Sequence, residues 1–381
     1  MHFSTIGRIL GILLMLFSLT MLPPIAISLY FDDQQLNAFL HAFILTLGIG
    51  TLVWLPVKGK KRELRVRDGF VVTVLFWLVL SVSGSIPLYL SGAPALSYVD
   101  AYFESLSGLT TTGATVITGI DTLPKSILWY RQQLQWFGGM GIIVLAVAIL
   151  PMLGIGGMQL YRAEAPGPVK DSKLTPRITE TAKTLWYIYL GLTVMCALGY
   201  WLAGMSLFDA VAHSFSTIAI GGYSTHDASI GFFNNTAIEL IAILFMFLSG
   251  VNFALHFTAW RSNNPLVYLR DPEFRFYATV IGMVAITTIL TLMYTRTYGP
   301  VESIIKGLFE VVSIATTTGF ATADFSNWPF VLPFLLFLVA FIGGCAGSTG
   351  GGMKAIRVLL IYKQGLREIK RLIHPNAIIP V

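Results

Sequence analysis

Eight stretches of about 20 mostly apolar residues recur along the chain, and no other feature limits its fold so strongly. They lie near 7–29, 36–57, 70–90, 132–155, 184–204, 234–258, 277–297 and 330–363. A helix of that length crosses roughly 30 Å of hydrocarbon. Composition agrees, since 55% of residues are hydrophobic and 12% charged, against about 25% charged in soluble domains. The sequence therefore predicts an all-α polytopic membrane protein. The first stretch exceeds the apolar core of a signal peptide, and Pro23 and Pro24 stand where small cleavage-site residues would follow, so it is read as a helix. Cys196 falls mid-helix and Cys345 in a glycine-rich run, which suits packing rather than a disulfide framework or metal cluster.

Basic residues gather in alternate connections: Lys58 to Arg67, Arg162 to Arg177, Arg261 to Arg275, and Lys354 to Arg371. The positive-inside rule places these in the cytoplasm, with the N-terminus inside and Asp32 and Asp33 outside. Topology thus accounts for the net charge of +6, and no nucleic acid is needed. Docking of a cytosolic partner or anionic lipid on these loops is the minority reading.

After the first two helices, one pattern recurs three times: a helix, a short half-apolar segment ending in a polar run with glycine, and a second helix. The polar runs are TTTGAT (Thr110 to Thr115), AIGGYST (Ala219 to Thr225) and TTTGFAT (Thr316 to Thr322). Aligned on Gly113, Gly222 and Gly319, the units carry Glu104, His213 and Glu310 nine residues upstream. Asp100, Asp209 and Lys306 stand thirteen residues upstream. Each unit holds two full crossings, so every copy enters from the same side. Parallel copies argue against inverted repeats and for an arrangement about an axis normal to the membrane.

The segments 98–109, 207–218 and 303–315 are too short to span a bilayer but suit re-entrant helices. Non-helical backbone survives at membrane depth only where protein buries it or water reaches it. A re-entrant helix descending from outside points its partly negative C-terminal end at the membrane centre, where it favours a cation. A following glycine lets neighbouring carbonyls face one axis, and carbonyl rings replacing the hydration shell are how potassium filters work. A Gly/Thr helix break in a packed bundle is the bland alternative; threefold recurrence behind a short segment argues against it.

Four motifs carry a resemblance: GLTTTGAT, QWFGGMGIIVLAVAILP (Gln135 to Pro151), TTTGFAT and GGCAGSTGGGMK (Gly343 to Lys354). With them nearly the whole chain resembles the Trk/Ktr/HKT superfamily of potassium transporters, specifically the bacterial TrkH-type pore subunit. The resemblance implies two N-terminal helices (1–67) followed by parallel M1-P-M2 repeats with re-entrant pore loops, here 68–160, 161–262 and 263–381. It puts filter glycines at Gly113, Gly222 and Gly319. Carbonyls of Thr110, Thr111, Thr112, Gly113, Ile220, Gly221, Gly222, Thr316, Thr317, Thr318 and Gly319 would then bind K+, the transported ion. It also implies a homodimer in the bacterial inner membrane, contact with membrane lipid, and a cytosolic nucleotide-binding regulatory subunit on the basic face. The family pattern has a fourth repeat and a positive residue within it; this chain stops at Val381 after the third, so a truncated piece is expected. Each run offers one central glycine and no TVGYG, so fewer stacked carbonyl sites and weaker rejection of sodium are expected.

Gly343, Gly344, Gly347, Gly350, Gly351 and Gly352 fall within ten residues. At about 1 kcal/mol each relative to Ala, they predict a break in the last long helix. A phosphate loop fails, because Met353 separates Gly352 from Lys354 and Ala355 follows. GIGGMQ (Gly154 to Gln159) likewise fails as a dinucleotide fingerprint, leaving no nucleotide site in this chain. A loop bend near the inner surface is the plain reading. The resemblance makes the stretch, with Ser348 and Thr349, a mobile gating loop beneath the filter.

Glu104 and Glu310 are costly in a membrane unless solvated or paired; they would hold the filter in place or attract cations at its mouth, with a solvated or hydrogen-bonded short-helix residue that makes no direct ion contact as the alternative. Asp100 and Asp209 are expected to cap their short helices, and Trp129, Trp136, Trp201, Trp260 and Trp328 to anchor at interfaces. No nucleophile and base or metal cluster stands at usable spacing, so an enzyme is not expected. The leading expectation is channel-like potassium uptake. Its alternatives are a sodium-coupled or weakly selective cation translocator and a non-conducting membrane subunit.

Overall fold

The computed structural model describes residues 3–59, 66–139, 141 and 178–373, which form helices joined by turns and extended segments, with no strand among them. Contacts divide the chain into two compact units, 1–234 and 235–381.

In the first unit α1 (Phe3–Ser18) and α2 (Leu22–Phe31) make one span, with Pro23 and Pro24 at the start of α2. Proline is harmless there, because the first turn of a helix has no internal acceptor for its missing N–H. Then follow α3 (Leu36–Trp54), α4 (Val66–Leu90), α5 (Tyr98–Leu109), α6 (Lys125–Gly139), α7 (Ile178–Leu202) and α8 (Leu207–Ala219). The second unit holds α9 (Thr236–Ser249), α10 (Phe253–Ser262), α11 (Leu266–Arg270), α12 (Pro272–Tyr294), α13 (Pro300–Ala315), α14 (Leu332–Ala340) and α15 (Ala355–Ile373).

Among the described residues, five helical spans are long and apolar enough to cross a membrane: Phe3–Phe31, Leu36–Val57, Phe70–Leu90, Lys183–Leu202 and Pro272–Tyr294. Each lies on a stretch read from the sequence. Their outward faces stay apolar, as at Ile44, Leu52, Val74, Leu198 and Ile286, which is the composition of a lipid-facing surface. Of the stretch 132–155 only the start is described, within α6; its remainder, the motif end at Pro151, the GIGGMQ run and the basic connections 60–65 and 162–177 lie outside the described residues.

Two of the apolar stretches are broken, one of them where the glycines predict it. Within 234–258, α9 and α10 meet at 96°. The bend has a hydrogen-bond cause: Phe253 N–H donates to Gly347 O (3.0 Å) instead of continuing the helix, while Ser249 O accepts from Thr349 N–H (3.4 Å) and Gly250 O from Cys345 N–H (2.8 Å). Asn252 Oδ1 caps α10 through Ala254 N–H. The glycine-rich stretch thus supplies what the helix gives up, as membrane backbone requires. Within 330–363, α14 ends at Ala340 and α15 begins at Ala355, which is the break that the glycines predict.

Both cysteines are free and buried, as expected. The tryptophans need correcting. Trp201 and Trp260 are exposed, but Trp328 is buried beside Tyr298 Oη. Trp136 donates to Thr193 Oγ1 and stacks on Phe215 and Tyr189, and Trp129 donates to Gln133. These three are tied to the helix framework, because their N–H groups have protein partners.

Candidate functional site

Each of the three short helices α5, α8 and α13 ends at a polar run, and the backbone there repeats. The residue two before the aligned glycine is left-handed, with φ 53° at Thr111, 54° at Ile220 and 69° at Thr317. The glycines follow at φ 75° (Gly113), 80° (Gly222) and 81° (Gly319). A β-branched residue in that region costs roughly 1–2 kcal/mol. The same turn bond opposes the cost each time: Thr112 N–H to Ser107 O (2.9 Å), Gly221 N–H to Ser216 O (2.9 Å) and Thr318 N–H to Ser313 O (2.8 Å).

Around these left-handed residues most of the central carbonyls of the runs have no donor among the described residues. Among the described residues, those of Thr110 to Gly113, Ile220, Gly222 and Thr316 to Gly319 accept no hydrogen bond. Gly221 is the exception: its carbonyl accepts from Gln135 Nε2 at 2.6 Å, and Gln135 Oε1 accepts Tyr223 N–H at 3.0 Å. The first two runs touch, since a methyl at Gly113 would lie 2.1 Å from Gly221 O.

Behind each run a side chain from the short helix holds the strand that leaves it. Glu104 Oε1 accepts Val116 N–H (2.7 Å). Glu310 Oε1 accepts Thr322 N–H (2.7 Å) and Ala323 N–H (3.0 Å). His213 does the equivalent through Ser224 Oγ (2.9 Å). Glu104 and Glu310 therefore tether backbone from fully buried positions. Glu104 also pairs with buried Arg131 at 3.3 Å, whose guanidinium lies over the Tyr223 ring and donates to Thr115 Oγ1.

Asp100 and Asp209 are not the caps. Ser97 and Ser206 are, each accepting the aspartate N–H and donating to its carboxylate. The signal was a serine sixteen residues before the glycine, at Ser97 and Ser206; the matching Ser303 lies within α13, whose cap position is Gly299. Sequence reasoning also missed the serine six residues before each glycine, at Ser107, Ser216 and Ser313. Ser107 and Ser313 hydroxyls donate to Ala114 O (2.7 Å) and Phe320 O (2.6 Å). Arg131 was missed because it sits at the edge of an apolar stretch, and Gln135 because its motif was read as family evidence rather than as chemistry.

Beyond the first two runs, His226 bridges two carboxylates. Nδ1 lies 2.5 Å from Asp121 and Nε2 lies 3.7 Å from Asp209. Burial alone would lower the His226 pKa, but the two aspartates outweigh it and the net shift is upward. Asp121 is lowered chiefly by its hydrogen bond with His226. Asp209 is well below its usual range, because bonds from His226, Ser206 and Thr225 overcome its burial.

In the second unit the glycine-rich stretch folds against itself and the third run. A methyl at Gly343 would meet Gly351 O at 2.1 Å, and one at Gly352 would meet Gly343 Cα at 2.8 Å. Gly351 N–H donates to Thr317 Oγ1 (2.7 Å). A methyl on Gly350 would lie 3.1 Å from Thr316 O. Ser348 donates to Cys345 O, Thr349 to Ser249 O, and Lys354 Nζ to Gly350 O. The stretch named from the sequence therefore touches the third polar run.

Apolar spans and broken helices define the class: an all-helical polytopic membrane protein among the described residues, with short helices that end at polar runs. The chain belongs to the TrkH family, whose model, described as a cation transport protein, matches residues 35–381. Among its relatives, the Trk system potassium uptake protein TrkH of Halomonas elongata is 62% identical over all of this chain and 79% of its own length. The protein of that name from Escherichia coli K12 is 55% identical over 99% of this chain and 78% of its own. The crystal structure of the potassium transporter TrkH from Vibrio parahaemolyticus superposes with a TM-score of 0.90 at 53% identity, covering all of this chain and 79% of that one. The family is one of transporters, in keeping with the expectation of a non-enzyme.

Proposed function

We infer that this chain takes up potassium across a bacterial inner membrane. The carrying observation is the set of backbone carbonyls at Thr110 to Gly113, Ile220, Gly222 and Thr316 to Gly319 that the fold leaves unbonded. Unbonded carbonyls at membrane depth are costly unless water or an ion takes them, and such oxygens replace the hydration shell of K+ in potassium filters. The names of the relatives, potassium uptake proteins of Trk systems, support the same ion. On this reading α5, α8 and α13 are re-entrant helices of parallel repeats, with the N-terminus in the cytoplasm. The stretch Gly343 to Gly352 is a gate reached from the third filter run. Partners are membrane lipid, a second copy of the chain, and a cytosolic nucleotide-binding subunit drawn to the basic face.

The test is flux in proteoliposomes. Rubidium uptake is expected to be inhibited by K+ strongly and by Na+ measurably, because one glycine per run provides few stacked sites. Replacing Gly350 to Gly352 with alanine is expected to change the rate without changing the K+/Na+ preference. Absence of Rb+ uptake, or strict rejection of Na+, would overturn the corresponding part of the reading.

A further inference from the structure

Glu273 was not singled out in the sequence, because it precedes the apolar stretch 277–297. It stands in the first turn of α12, where an acidic residue ordinarily serves the helix dipole. Here that turn is already capped, as Asp271 Oδ1 accepts Phe274 N–H at 2.7 Å. The Glu273 carboxyl group is instead buried, with 5% exposure, and turned to the glycine-rich stretch. One oxygen, Oε1, accepts Ala346 N–H at 2.6 Å and Ile356 N–H at 3.1 Å. These donors are ten residues apart and flank Gly347 to Gly352, so a single side chain ties both ends of the segment that touches Thr317.

We propose that Glu273 is the latch of this loop, a positioning residue that sets where the segment Ala346 to Ile356 rests. The other tethers act on the backbone point by point: Ser249, Phe253 and Thr317 hold Thr349, Gly347 and Gly351, while Ala355 N–H to Gly344 O and Met353 N–H to Phe341 O close the neck of the loop; Glu273 is a side chain that reaches donors on both sides of it. A glycine-rich backbone has high conformational entropy and little stability of its own, so its resting place depends on such bonds. Bonds to a charged acceptor are roughly twice as strong as neutral ones. The link from latch to ion flow rests on the gate reading above.

The chain supplies its own reporters. Cys345 lies beside Ala346 and is buried, and Cys196 is buried in α7 of the other unit. The experiment compares the protein with Glu273→Gln, which keeps the side-chain size and loses the charge. It measures labelling of both thiols by a small membrane-permeant maleimide, together with resting Rb+ flux and the Rb+/Na+ ratio. Labelling of Cys345 relative to Cys196 is expected to rise by about tenfold, the shift that one lost charge-assisted hydrogen bond brings. Flux is expected to rise with the ion ratio unchanged. Unchanged Cys345 labelling, an equal rise at both cysteines, or an altered ion ratio overturns the latch. Raised Cys345 labelling with unchanged flux supports the latch and overturns the gate reading instead. Should Glu273→Gln not fold, Glu273→Asp is read the same way, since a carboxylate retracted by one methylene cannot reach both donors.

Discussion

Alanine at Gly113 and alanine at Gly319 are the same substitution at aligned positions, yet the structure assigns them different costs. Both residues have φ near 80° (75° and 81°), so each variant incurs roughly 1–2 kcal/mol of left-handed strain. At Gly319 nothing among the described residues lies within 4 Å of the added methyl, and strain is the whole cost. At Gly113 the methyl would lie 2.1 Å from Gly221 O and 3.2 Å from Gly221 C. Forced repacking adds about 1–3 kcal/mol, bringing the total to about 2–5 kcal/mol. The displaced group is backbone of the second polar run, held by Gln135, so it cannot retreat freely. Thermal unfolding of the detergent-solubilised protein, with Rb+ and Na+ flux on the same preparations, reads both effects. Gly113→Ala is expected to lower the transition temperature about twice as far as Gly319→Ala and to degrade the Rb+/Na+ preference more. Equal shifts would refute the packing argument, and a larger effect at Gly319 would reverse it.

Two further predictions concern the groups behind the runs. Arg131→Met leaves Glu104 buried without its cation and is expected to cost about 3–5 kcal/mol, most of it recovered in Arg131→Met with Glu104→Gln; unfolding of the two singles and the double checks this. The His226 bridge gives a pH dependence of determined sign. Its folded pKa is raised, so its stabilisation is complete below the unfolded value of 6.5 and fades as pH rises through the folded value. The lowered carboxyls of Asp121 and Asp209 contribute stability above the unfolded value of 3.8 and lose it on acidification through their folded values. Transition temperature should therefore fall on the alkaline side of pH 6.5, and His226→Gln should flatten that limb and weaken the acid limb as well, since His226 helps lower both Asp121 and Asp209. An alkaline limb unchanged in His226→Gln would show that the bridge carries no stability.

Some elements were readable because their cause is local. Apolar length marks a span wherever it occurs, so all five described spans fall on stretches read directly. The break before Lys354 follows from glycine content alone. The polar runs were visible because recurrence aligned Gly113, Gly222 and Gly319. The same alignment held Ser97, Ser206 and Ser303, and Ser107, Ser216 and Ser313, but a lone serine has many local roles and gives little signal until its partner is known. The bend between α9 and α10 had no local sign strong enough to read, since its cause is a stretch nearly a hundred residues later.

By itself, the sequence determined the solvent, the spans, the three polar runs and the glycine-rich break. These depend on transfer free energy and backbone propensity, which are summed over neighbours in the chain. Only the tertiary structure decided what holds the runs and the loop: Arg131 on Glu104, Gln135 on Gly221 and Tyr223, Glu273 on Ala346 and Ile356. The physical reason is that a buried polar group must find its partner within about 3 Å, and which distant residue stands there is set by how the helices pack.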